Sequence, residues 1–135
     1  MIPFEVGFYG WLGFIAFHIW FNWHLIVRRK ITPSYWGNFL YRAFAGGVCL
    51  VIMHPEFDPL GNLYSWRGVP KILAYEVSSF YLLFDPFLNW SRGLVIHYRG
   101  RKSGWMDPKL SRAQWWLLKG ASLVVLVLTL FVIWK

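Results

Sequence analysis

The feature that most constrains this 135-residue sequence is a set of apolar runs that are too long for the core of a small soluble domain. The first run covers residues 4–27 and has Glu5 as its one formal charge, and the last covers residues 115–134. An α-helix rises about 1.5 Å per residue, so about 20 apolar residues cross the hydrocarbon core of a bilayer. The sequence therefore predicts an all-α, multi-pass integral membrane protein.

The overall composition agrees with this prediction. Hydrophobic residues make up 57% of the chain and charged residues 15%, which excludes disordered and collagen-like classes. A net charge of +8 on a soluble domain would suggest a nucleic-acid partner. Here the basic residues flank the apolar runs, so we expect a lipid surface and no nucleic acid. The one cysteine, Cys49, can form no intrachain disulfide.

Four membrane helices are predicted within a single membrane domain that covers residues 1–135: residues 4–27, 34–54, 69–90 and 108–134. An outer loop is expected over residues 55–68, where prolines and glycines cluster, and a basic cytoplasmic loop over residues 91–107. Arg42 lies inside the second helix, which leaves two alternatives for its first half: a membrane span or a helix lying in the interface. The apolar run of residues 43–53 favours a span.

Local signals predict where these helices begin and bend. Thr32-Pro33-Ser34 offers a hydroxyl cap before the second helix, and Asp107-Pro108 offers a cap and a first-turn proline before the fourth. Pro86 should kink or restart the third helix, because proline removes a backbone donor and clashes with the preceding turn.

The distribution of basic residues predicts the orientation. Nine Lys and Arg residues fall in the two loops that would face the cytoplasm, against Arg67 and Lys71 in the outer loop. By the positive-inside rule, both termini then lie outside. Seven of the inner residues are the candidates for binding anionic headgroups or an acidic partner: Arg28, Arg29, Lys30, Arg92, Arg99, Arg101 and Lys102.

Several polar residues are expected in the inner third of the membrane, and they form the candidate intramembrane cluster: Asn22, His24, Arg42, Asp85 and Asn89. Asp85 and Asn89 are four residues apart and share a helix face, and Arg42 is the expected partner of Asp85. Such groups either fasten helices together through hydrogen bonds or mark a functional site; the first alternative is the simpler, because the spacing imposes no reaction geometry.

His18, near the middle of the first helix, is the candidate for contact with a haem or pigment. Two axial histidines would have to face each other at equal depth, and the four histidines differ in depth. No cofactor is therefore predicted. No local cluster of ligands has the spacing of a metal site, and we expect no catalytic residue.

Small residues recur along the first helix at Gly7, Gly10, Gly13 and Ala16. Small side chains let membrane helices approach closely. The pattern predicts tight helix packing, within one chain or between copies.

The segment Leu83-Phe84-Asp85-Pro86-Phe87-Leu88-Asn89, followed by Arg92-Gly93, Tyr98, Gly100, Ser103 and Asp107, resembles a pattern in small uncharacterised membrane proteins of Bacteroidetes and their phages. The resemblance covers residues 83–107 and implies no known activity. It implies that Asp85, Asn89, Arg92 and Asp107 are structural: a carboxylate and an amide end one span, and a cap starts the next.

From these observations we expect a non-enzymatic accessory or scaffold protein that acts through helix packing and basic cytoplasmic loops. Its partners would be anionic lipids and other membrane subunits or further copies of itself, in a bacterial inner membrane or a membrane derived from it. Two alternatives stay open: a cofactor- or pigment-associated subunit of a redox complex, and an oligomeric pore or lysis-type protein.

Overall fold

The computed structural model describes residues 4–57, 68–98 and 110–133, and these ranges contain four α-helices and no strand. The helices are α1 (Phe4–Trp23), α2 (Tyr35–Phe57), α3 (Val69–Ser91) and α4 (Arg112–Ile133). A π-helical turn, His24–Arg28, continues α1. The predicted all-α architecture is confirmed.

Three of these helices are long and apolar enough to cross a membrane, over Glu5–Arg28, Trp36–Met53 and Arg112–Val132. α3 has a similar length, but it carries Lys71, Glu76 and Asp85 and is not among them. The predicted membrane character is thus supported by α1, α2 and α4.

The helix termini follow the local sequence, with two differences from prediction: α2 ends at Phe57 and not at residue 54, and α4 begins at Arg112 and not at residue 108. The Ser34 hydroxyl accepts a hydrogen bond from the Gly37 N–H (3.3 Å), which confirms the cap before α2. α4 begins at Arg112 with a reciprocal capping box, in which the Ser111 N–H donates to Gln114 Oε1 (2.8 Å) and the Gln114 N–H to Ser111 Oγ (3.2 Å). The predicted cap at Asp107-Pro108 lies outside the described residues.

α3 runs through Pro86 without interruption, so of the two predicted alternatives, a kink or a restart of the helix, the restart does not occur. The helix ends at Ser91, and two residues further on Gly93 has a positive φ of 70°, which suits a residue without a β-carbon. The Gly93 N–H donates to the Trp90 carbonyl and the Leu94 N–H to the Asn89 carbonyl, both at 2.9 Å. This pair of bonds is the Schellman arrangement, which satisfies carbonyls at the end of a helix.

α1, α2 and α3 pack against one another, and α4 packs mainly against α3. Their common core contains seven buried side chains: Phe8, Trp11, Ile15, Cys49, Met53, Ile72 and Tyr75. The core therefore lies between the first three helices, while most of the aliphatic side chains of α4 are exposed on the outside of the bundle.

The predicted stripe of small residues divides between two surroundings. A β-carbon on Gly7 would lie 2.5 Å from Met53 Cγ and 3.0 Å from Ile52 Cγ2, whereas β-carbons on Gly10 and Gly13 would meet nothing within 4 Å. Gly7 therefore permits the close approach of α1 and α2, and the other two glycines face away from the bundle.

Candidate functional site

Arg42 is half-buried among groups of α1 and α3. Its Nε donates a hydrogen bond to Nε2 of His18 (3.4 Å), and its guanidinium carbon lies 4.4 Å from the ring centre of Phe80 and 4.7 Å from that of Phe84. His18 is 2% exposed and packs its ring against Phe84 at 5.2 Å. We call His18, Arg42, Phe80 and Phe84 the Arg42 layer, which joins all three core helices.

Two amides extend this layer toward the end of α1. The Asn22 amide donates to the His18 carbonyl (2.8 Å), and its Oδ1 accepts from Nδ2 of Asn38 on α2 (3.1 Å). His18 and Asn22 share one buried face of α1, as their spacing predicts. The structure thus brings together His18, Asn22 and Arg42, with Asn38 as a fourth member that the sequence analysis missed.

Asp85 pairs with a different residue, so the prediction that Arg42 is its partner is wrong. Its Oδ2 forms an ion pair with Nζ of Lys119 on α4 at 3.2 Å. Lys119 is 4% exposed; it also donates to the Tyr81 carbonyl and lies over the rings of Tyr81 and Trp115, at 3.7 and 5.0 Å. Lys119 therefore connects α4 to α3.

The remaining two members of the predicted cluster are also separate. His24 lies in the π-helical turn, half-buried, with its ring stacked on Trp20 at 5.7 Å. Asn89 donates from Nδ2 to the carbonyls of Ile96 (2.9 Å) and Tyr98 (2.8 Å). Asn89 therefore holds the segment after α3 against the helix end.

The first basic group lies at the end of α1 that is predicted to face the cytoplasm. Arg28, Arg29 and Lys30 are exposed, and the Arg28 guanidinium lies 5.7 Å from the Trp23 ring centre. Arg92 is half-buried at the end of α3. The other predicted basic residues lie outside the described ranges: Arg99, Arg101 and Lys102.

Glu76 is a site residue that the sequence analysis did not select. It lies on α3 and is 4% exposed, and its Oε1 has no hydrogen-bond partner among the described residues. Its Oε2 lies so close to α2 that a β-carbon on Gly46 would be 3.0 Å away, and the same β-carbon would meet the Trp11 ring at 3.7 Å. The available signal was a carboxylate within an apolar segment, which in a membrane indicates a functional group by default.

Two hydrogen bonds connect α1 to α3 next to Glu76. Trp11 Nε1 donates to Ser79 Oγ (2.9 Å), one turn along α3. The Tyr75 hydroxyl donates to the Phe8 carbonyl (3.0 Å), and the two rings stack at 4.5 Å. The carboxyl group thus lies within a closely packed interface of α1, α2 and α3.

The described residues contain no group of three or more His, Cys, Asp or Glu side chains that could hold a metal ion. A haem iron at Nε2 of His18 would have to displace Arg42, since that nitrogen already accepts a hydrogen bond. Comparison with protein-family models, curated proteins and solved structures found no match for this chain.

Proposed function

We propose that this protein is a four-span membrane protein with both termini outside, and that it acts as a non-enzymatic accessory or scaffold subunit in a bacterial inner membrane. Its helices present a stable surface to other subunits, and its basic inner segments bind anionic lipid headgroups. The resemblance of residues 83–107 to small membrane proteins of Bacteroidetes and their phages suits this setting.

The fourth span is supported by the packing of α3. This helix is in contact with α1, α2 and α4, and each of the other three has the length and composition of a span. Its polar side chains are directed into the bundle: Glu76, Ser78, Ser79 and Asn89 are all buried. A helix that hides its polar groups from lipid in this way can cross the membrane despite a more polar sequence.

The observation that carries the scaffold proposal is the pairing of the intramembrane charges. Arg42 binds His18 and two phenylalanine rings, and Asp85 binds Lys119. A pore would leave such groups facing a water-filled path. Here Arg42, Asp85 and Lys119 each connect one helix to another, which favours a structural role.

The exposed segment Arg28-Arg29-Lys30 supports binding to an anionic surface. Each basic residue near an anionic membrane is worth about 1 kcal/mol of attraction. Three such residues next to a membrane span would hold the inner end of α1 at the headgroup layer and could also receive an acidic partner.

The proposal is tested with the triple variant R28Q/R29Q/K30Q, compared with Lys71→Gln, which removes a charge at the opposite end of the bundle. In nanodiscs, we expect anionic lipid to raise the melting temperature of the wild type and of Lys71→Gln, and to raise that of the triple variant much less. We also expect the triple variant to recover less partner protein from native membranes. Unchanged lipid stabilisation together with unchanged partner recovery would contradict the proposal.

Two further measurements on the purified protein test the alternatives, a cofactor-associated subunit and a pore. Visible absorption that disappears in His18→Ala would favour a cofactor-associated subunit. Dye leakage from proteoliposomes that Arg42→Ala alters would favour a pore.

A further inference from the structure

Glu76 differs from Arg42 and Asp85 because none of the described residues pairs with its charge. Arg42 and Asp85 each have a partner of complementary charge or a hydrogen-bond acceptor. Glu76 is only 4% exposed, yet Oε1 of its carboxyl group lacks any hydrogen-bond partner among the described residues.

The surroundings of the carboxyl group come from three helices. α1 contributes Trp11, which is aromatic and does not ionise, and α2 contributes the bare backbone of Gly46. Among the described residues, the ionisable groups that interact with it electrostatically are Cys49 on α2 and Tyr75 on α3. Both are acids, so neither can supply a positive charge.

An unpaired carboxylate in such a place is very costly. Transfer of an isolated ionised carboxyl group into an apolar medium costs so much free energy that the group takes up a proton instead. Even on insertion scales, a charged carboxylate at the centre of a membrane helix costs about 3 kcal/mol. The neutral acid is the form that this packing can hold.

We propose that Glu76 is a proton-binding site, held as a carboxylic acid between α1, α2 and α3 and able to exchange its proton. The proposal rests on α3 lying in the membrane, as the proposed function has it, and goes beyond the scaffold role.

Proton release would change the packing of the core. Arg42 lies one helical turn from Gly46 on the same face of α2, and it currently donates to His18. An ionised Glu76 would attract this guanidinium, so loss of the proton should weaken the contact between Arg42 and His18. Proton occupancy would thereby be coupled to how α1 packs against α2.

The first test uses dicyclohexylcarbodiimide, an apolar reagent that reacts with protonated carboxyl groups in membranes. The acid adds across one C=N bond, giving its proton to nitrogen and its oxygen to the central carbon, and the adduct rearranges to an N-acylurea. We expect purified protein in nanodiscs to be modified at Glu76 at neutral pH, and less in alkaline buffer. Glu76→Gln should abolish the modification, and Asp85→Asn should leave it unchanged, because Asp85 is paired with Lys119.

The second test does not depend on access of a reagent. Infrared spectra of the wild type minus Glu76→Gln should contain the C=O band of a protonated carboxyl group at neutral pH, and this band should decrease on alkaline titration. Absence of that band, or modification of Asp85 in preference to Glu76, would overturn the proposal. Circular dichroism and gel filtration of Glu76→Gln check that the variant folds.

Failure here is distinguishable from failure of the proposed function. Loss of the infrared band concerns Glu76 alone and leaves lipid stabilisation by the basic segment intact. Loss of lipid stabilisation in the wild type would leave the infrared band unchanged.

Discussion

Arg42 is held within the bundle by contacts that are weak singly and add up because they come from different helices. A cation over an aromatic ring contributes about 0.5–2 kcal/mol, more when water is excluded. A hydrogen bond between membrane helices contributes about 1 kcal/mol. Contacts with His18 on α1 and with Phe80 and Phe84 on α3 therefore make one side chain of α2 a connection among three helices.

This geometry predicts that Arg42→Ala lowers the free energy of unfolding in detergent by about 1–3 kcal/mol. Arg112→Ala, at the exposed start of α4, is the matched control and should change stability little. In a double-mutant cycle, His18→Ala and Arg42→Ala should be coupled by about 0.5–1.5 kcal/mol. Strict additivity of the two substitutions would show that the hydrogen bond contributes nothing.

The ion pair of Asp85 with Lys119 gives a second prediction at the residue scale. Removing one partner of a buried pair leaves the other charge uncompensated, whereas removing both can cost little. Because Asp85 is 30% exposed on its side chain, we expect Lys119→Met to destabilise the protein by only about 1–3 kcal/mol.

The matched variant for this test is Asp85→Asn combined with Lys119→Met, which should recover part of that loss. Chemical unfolding of the wild type and the two variants measures the effect. A double variant less stable than Lys119→Met would show that the carboxylate is stabilised by something other than the lysine.

Sequence reasoning selected Asn22, Arg42 and Asp85 but assigned the partner of Asp85 wrongly, for a physical reason. Counting residues along a helix gives the depth of a side chain, and Arg42 and Asp85 are predicted at similar depth. Counting residues does not show which neighbouring helix the side chain points toward. Phe84 faces Arg42 while the next residue, about 100° further around α3, faces Lys119.

At the scale of elements, the close contact of α1 with α2 depends on Gly7. A β-carbon there would lie 2.5 Å from Met53 Cγ, so Gly7→Ala must push the helices apart or move the methionine. We expect a loss of about 1–3 kcal/mol, the usual cost of overpacking. Thermal unfolding in detergent measures it.

Gly13→Ala on the same helix is the control, because its β-carbon would meet nothing within 4 Å. It should be neutral or slightly stabilising, since alanine favours the helix by about 1 kcal/mol over glycine. Equal destabilisation by both substitutions would mean that the outward glycines also pack, for example against a second copy.

The helices themselves were predictable because long apolar runs and capping residues are local properties of the chain. Ser34 before α2 is such a signal. The end of α3 was predicted at residue 90 and lies at Ser91, although Pro86 is accommodated within the helix without the restart that was one of its two predicted effects. The burial of Glu76 depends on which helices surround it. That is a property of the assembled bundle, so the local sequence of α3 does not predict it.

At the scale of the whole molecule, the orientation of α3 decides between two topologies. If α2 crosses the membrane, Lys71 at the start of α3 lies on the opposite side from Lys30. If the first half of α2 instead lies in the interface, α3 inverts and the two lysines share a side. The packing of α3 along α1 and α2 favours the first arrangement.

Single-cysteine reporters in a Cys49→Ala background distinguish the two. Membrane-impermeant maleimide added to intact cells should label Glu5→Cys and Lys71→Cys, both at the outer end, and should label Lys30→Cys only after permeabilisation. The Glu5 reporter controls for the orientation of α1 itself. Labelling of Lys71→Cys only after permeabilisation, with Glu5→Cys still labelled from outside, would contradict a spanning α2 and reassign the basic segments to opposite sides of the membrane.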